Sequence, residues 1–84
     1  MSTPITATVR LRPHTERPES NGKTAFIAVR CRDAMPGSSG VMILQSMYCW
    51  RNGEWRSEDY DEPLRYAHFW WVAEYDLTAP LKKL

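Results

Sequence analysis

An Asn-Gly pair at Asn52 and Gly53, set between two apolar runs, constrains this chain more than any other feature. A two-residue hairpin turn of type I′ needs positive φ at both central residues. Asn tolerates that conformation, and Gly adopts it without a Cβ penalty. Residues 41–56, VMILQSMYCWRNGEWR, therefore read as a β-hairpin. With Asn52 and Gly53 as the loop, Arg51 faces Glu54 and Trp50 faces Trp55 across the ribbon. The opposed aromatic pair favours that register by up to ~1 kcal/mol relative to Ala–Ala, and the opposite charges act in the same sense. A three-residue loop with a bulge at Gly53 is the competing register.

The rest of the chain supplies partners for this hairpin. Residues 5–12, ITATVRLR, alternate with Ile5, Ala7, Val9 and Leu11 on one side, which predicts a half-buried strand ending at Pro13. Residues 13–23 hold two prolines and an Asn-Gly pair, and read as a loop. Residues 24–32, TAFIAVRCR, read as a second strand, with Ala25, Ile27, Val29 and Cys31 on one face and Phe26, Ala28, Arg30 and Arg32 on the other. A turn-rich connector fills residues 33–40. In the hairpin's first arm, Met42, Leu44, Tyr48 and Trp50 share one face, and Val41, Ile43, Met47 and Cys49 share the other. Two apolar faces predict burial on both sides near residues 41–44. Residues 57–63, SEDYDEP, form an acidic loop closed by Pro63.

Residues 64–77 admit a helix after Pro63 or a strand over about 68–76. The run Phe69, Trp70, Trp71, Val72 favours the strand, because aromatic and β-branched residues are poor helix formers and good strand formers. In a strand, Trp70 and Trp71 point to opposite faces, and a chain this small leaves at least one of them exposed or in an interface.

Eighty-four residues bound the answer to a single small domain, 1–84. The expected fold is mainly β, a small antiparallel sheet of four or five strands centred on the 41–56 hairpin. The alternative is an α+β fold with a C-terminal helix at about 62–77. The apolar runs are too short to span a bilayer, and the N-terminal stretch MSTPITATVRLRP lacks the basic start and apolar core of a signal peptide. The expectation is a cytoplasmic protein with no membrane association, in which Cys31 and Cys49 are reduced. No CxxC or paired Cys/His spacing predicts a metal site, and no Gly-rich phosphate loop or telling carboxylate pair predicts a cofactor or catalysis. His68 beside the aromatic strand and Cys49 within an apolar strand read as structural residues.

Several of these residues also form a longer pattern. An early Glu-Arg-Pro-Glu loop (Glu16 to Glu19) precedes an apolar strand. A Tyr-x-Trp-x-x-Gly-x-Trp hairpin follows (Tyr48, Trp50, Gly53, Trp55), and then a closing His-Phe-Trp-Trp strand (His68 to Trp71). Over residues 15–75 this resembles a family of short phage and prophage proteins whose members run from a Leu-Pro-Glu loop to a terminal Thr-His-Trp-Met-Pro pattern. Here Arg17 precedes Pro18, Ala67 precedes His68, and no proline follows the tryptophans. The family has no established activity. The resemblance implies a β-rich fold and a phage or prophage setting, hence the host cytoplasm.

The candidate binding residues follow from charge distribution, since the net charge of +1 selects no partner class. If the first two strands are neighbours, Arg10, Arg12, Arg30 and Arg32 share a wet face, with Phe26 available for stacking. Such a face suits nucleic acid, because sheets bind single strands by phosphate contacts and base stacking. Glu58, Asp59, Asp61 and Glu62 make an acidic patch suited to a basic partner. Trp70 is the aromatic candidate for an interface, where Trp is enriched. The resemblance, rather than these features, implies the expected function: a non-enzymatic phage or prophage accessory protein that binds a host or phage protein, a host machine or defence complex among them. Nucleic-acid binding through the arginine face is the alternative.

Overall fold

The computed structural model describes residues 3–31, 36–37 and 40–83. Six strands form one antiparallel sheet: β1 (Arg12–Pro13), β2 (Thr24–Arg30), β3 (Val41–Ile43), β4 (Tyr48–Arg51), β5 (Glu54–Ser57) and β6 (Trp70–Ala73). The order is β1-β6-β2-β4-β5, with β3 also paired to β2. A short helix, α1 (Glu74–Thr78), and a 3-10 helix (Ala79–Lys83) close the chain. The mainly β antiparallel class is the one the sequence predicts. The sheet is centred on β2 rather than on the 41–56 hairpin, because the seven-residue β2 pairs with β6 along one edge and has room for both β3 and β4 along the other.

The hairpin has the expected register: Arg51 opposite Glu54, Trp50 opposite Trp55. Asn52 and Gly53 have φ of 52° and 84°, the positive pair that a type I′ turn requires. The first arm, in contrast, is broken. Ala28 pairs with Ile43 and Ala25 with Tyr48, so Phe26 and Ile27 of β2 face the four residues 44–47. The bulge adds an even number of residues, and side-chain alternation has period two. Met42 and Tyr48 therefore still share a face, and Leu44, Tyr48 and Trp50 all pack against the core. This break raises the strand number to six.

The core lies on one face of the sheet, where Ala25, Ile27, Val29, Trp55, Phe69 and Trp71 are buried together. Loop residues 14–23 cross this face: Trp71 Nε1 donates to the Glu16 carbonyl at 2.9 Å, and the His14 N–H donates to the Phe69 carbonyl at 2.9 Å. Leu64 reaches the same cluster, and its N–H donates to the Trp55 carbonyl at 2.9 Å. Arg56 and Pro63 form an isolated bridge beside β5, so residues 62–64 shield that sheet edge.

Two expectations are corrected. Residues 5–11 form no strand, and Ile5, Val9 and Leu11 are exposed. Alternation alone makes no strand without an edge to pair with, and both edges of β2 are taken. Residues 6 and 8 instead run beside the C-terminal helices, and the Arg10 N–H donates to Asp76 Oδ2 at 3.3 Å. Second, the C-terminal strand stops at Ala73, short of residue 76. Ala73 pairs with Ala25, next to the start of β2, and beyond it the sheet offers no partner. The chain turns helical there, with Glu74 and Asp76 in the first turn, where carboxylates favour the helix dipole.

Candidate functional site

The arginine face does not assemble. β1 pairs with β6, not β2, so the two strands that were to carry the arginines are not neighbours. Arg12 stands opposite Trp71 on the core face, its guanidinium 4.9 Å from the Trp71 ring centroid and 3.2 Å from Glu16 Oε2. Its Nε is buried without a hydrogen-bond partner and lies beside that ring. Arg10 is exposed and reaches the same Glu16 carboxylate at 3.5 Å. Arg30 is on the other face, and Arg32 lies outside the described residues. Phe26, on the face of Arg30, is half-buried.

That outer face carries the first candidate surface. Trp70 pairs with Ala28, and Arg30 follows on the same side of β2, with its guanidinium 5.9 Å from the Trp70 ring centroid. Trp71 is 3% exposed and Trp70 is 37% exposed, so adjacent tryptophans are divided between core and surface as strand geometry demands. Leu11, Arg30, Val41 and Trp70 wall a hollow of about 280 Å³ over Ala28 and Val29. Ile43 extends the patch. Burial was expected on both sides of residues 41–44, but Val41, Met42 and Ile43 are all exposed, because β3 meets only the last part of β2.

The acidic residues form a built turn at the end of β5. Ser57 is buried, and its Oγ accepts from the N–H groups of Asp59 and Tyr60, both at 3.3 Å. The Asp61 N–H donates to the Ser57 carbonyl at 2.9 Å, and Asp61 takes a φ of 51°, which closes the turn. Arg56 holds it from below. Its Nη1 lies 2.7 Å from Glu54 Oε1 and its Nε 3.0 Å from Asp61 Oδ1, and Nη2 donates to the Asp61 carbonyl. Glu54 first and Asp61 second raise the Arg56 guanidinium above its ordinary value. Ser46 Oγ donates to Asp59 Oδ2 at 2.9 Å, tying the turn to the bulge before β4. Glu58, Asp59, Asp61 and Glu62 are all exposed.

Between the bulge and this turn lies a groove of about 540 Å³ that the sequence does not reveal. Tyr48, Tyr60 and Tyr66 line it, with Met42, Leu44, Glu62 and Arg65. Burial, then the charges of Tyr66 and Glu62, push the Tyr48 hydroxyl above the usual tyrosine value. The tyrosines recur at positions 48, 60 and 66, but that spacing has no strand or helix period, so no pattern in the sequence joins them.

The chain's two histidines also meet: the His14 and His68 rings stand nearly perpendicular, with centroids 5.0 Å apart. Cys49 is buried and accepts from Arg51 Nε at 3.4 Å, which is the largest cause raising the Arg51 guanidinium. Among the described residues, no group of three or more His, Cys, Asp or Glu side chains converges to hold a metal ion, and no helix is long and apolar enough to cross a membrane.

Compared with known proteins, the chain matches no family model, no curated protein and no solved structure.

Proposed function

We propose that this protein is a non-enzymatic binding module that engages a partner protein through the outer face of its sheet around Trp70. One observation carries this reading: a 37% exposed tryptophan with an arginine 5.9 Å from its ring, set among the exposed side chains of Leu11, Val41 and Ile43. Tryptophan and arginine dominate interface hot spots, and contiguous exposed apolar surface marks interaction sites. The resemblance to short phage and prophage proteins supports a phage or prophage origin, action in the host cytoplasm, and a host machine or defence complex as the partner.

The test is capture from host lysate by the wild type and by Trp70→Ala and Arg30→Ala variants. A partner retained by the wild type and weakened about thirtyfold by Trp70→Ala, the loss of one hot spot of about 2 kcal/mol, supports the reading. Absence of any retained protein, or equal retention by the variants, overturns it. Nucleic-acid binding has less support, because Arg10 and Arg12 are engaged by Glu16 and stand apart from Arg30. Salt titration against single-stranded DNA and RNA separates the two readings, since phosphate-driven affinity falls steeply with salt.

A further inference from the structure

We infer that the tyrosine-lined groove beside the bulge is a second binding site, which takes the arginine or lysine side chain of an extended peptide segment. Its walls and its charge both select a cation. Tyr48, Tyr60 and Tyr66 present aromatic surface to one hollow, and a cation gains most from rings that surround it. Glu62 lines the same hollow, and Asp59 is fixed at its rim by Ser46. Glu58 is exposed one residue before Asp59. Arg65 is the one basic group among the lining residues, and against Glu62, Asp59 and Glu58 it leaves the surroundings net acidic even with Asp61 discounted for its pairing to Arg56. Opposite charge steers and orients a partner, and like charge rejects an anionic one.

Geometry argues for a side chain on an extended segment rather than for a compact ligand. The groove runs along residues 42–46, from β3 through the bulge, and opens to solvent at Tyr60, which is 74% exposed. Met42 and Leu44 suit the methylene stem of lysine or arginine, which lies along apolar surface while its head stays among polar groups. Tyr48 and Tyr66 offer hydroxyl acceptors to that head, which an apolar occupant would leave unpaired. The groove is distinct from the hollow at Trp70, with which it shares no wall residue; Ile43 alone lines the groove and borders the Trp70 patch, and neither Trp70 nor Arg30 lines the groove.

The experiment titrates ¹⁵N-labelled protein with the blocked pentapeptide Gly-Gly-Arg-Gly-Gly and with versions carrying citrulline or glutamate at the centre. The arginine peptide is expected to perturb amides around Gln45, Tyr48, Glu62 and Tyr66. Citrulline, which keeps the shape and loses the charge, binds more weakly, and glutamate more weakly still. Tyr66→Ala and Glu62→Gln each lower the arginine-peptide affinity by about two- to fivefold, and Trp70→Ala leaves it unchanged. Both altered side chains are solvent-exposed, so the fold is retained. The proposal is overturned if the arginine peptide does not bind at low salt, if the three peptides bind alike, if the perturbed amides lie elsewhere, or if Tyr66→Ala binds at full strength. Because the probe carries no apolar anchor for the Trp70 face, this result and lysate capture fail independently.

Discussion

The Trp55 and Trp71 rings meet at a centroid distance of 5.2 Å with their planes inclined at 55°, joining the end of the hairpin to the strand across β2. Trp50 continues the contact at 5.2 Å from Trp55, and Arg12 caps Trp71 from the other side. These contacts span the sheet from β5 to β1, and Trp55 and Trp71 belong to its buried core. Trp55→Ala or Trp71→Ala is expected to cost about 3–5 kcal/mol, most of the stability of a domain this size. Trp70→Ala, at the neighbouring but exposed position, should cost about 1 kcal/mol or less. Urea denaturation followed by circular dichroism checks all three, and equal losses at Trp70 and Trp71 would contradict the division of faces.

The hairpin turn makes a second expectation. A Cβ at Gly53 would meet no atom within 4 Å, so the obstacle to a side chain there is backbone conformation alone. At a φ of +84°, Gly53→Ala should lower stability by about 1–2 kcal/mol, a fall of about 4–16 °C in Tm. Asn52→Gly, which keeps access to positive φ, should change Tm far less. Thermal denaturation decides the matter, and a neutral Gly53→Ala would contradict the I′ turn.

How much of this was legible beforehand depended on the range of the interactions. The 48–57 hairpin was readable because its turn residues and cross-strand pairs lie within ten positions of one another. The strand at Trp70–Ala73 was readable from its residue types. Residues 5–11 misled, because their alternation describes a willing strand and says nothing about whether a sheet edge is available. The arginine face failed for the same reason: it required β1 beside β2, and β6 occupies that place. Alternation anticipated that Trp70 and Trp71 point to opposite faces with at least one exposed or in an interface, and Trp70 is the exposed one. The tyrosine groove was not, since it depends on a bulge and a turn meeting through Ser46 and Asp59, thirteen residues apart.

Ser57 offers a test of whether the acidic residues are preorganised. Its hydroxyl accepts two backbone N–H groups in the manner of a helix N-cap, and it is 6% exposed. Ser57→Ala should cost about 1 kcal/mol, as loss of a cap does, and should raise amide exchange at Asp59 and Tyr60 above that of the wild type while leaving the β2 amides unchanged. Unchanged exchange at those two positions would show that the Arg56 contacts hold the turn unaided.

Alkaline pH probes the groove itself. Burial raises the folded-state pKa of Tyr48 above its ordinary 10.0, and Tyr66 and Glu62 add to the effect. A raised folded-state pKa means that the unfolded chain gives up its proton first as the pH climbs. The Tyr48 contribution to stability is therefore fully present below about pH 10 and is lost as the pH rises through the higher folded value. Ultraviolet titration of the phenolate should show one tyrosine ionising late, and Tyr48→Phe should remove that late component. Glu62→Gln should move it back toward the ordinary value by a smaller amount, because the carboxylate acts after burial in order of size. If Glu62→Gln left the late component in place while Tyr48→Phe removed it, burial and Tyr66 would hold the proton, and the carboxylate would not be felt at the Tyr48 hydroxyl.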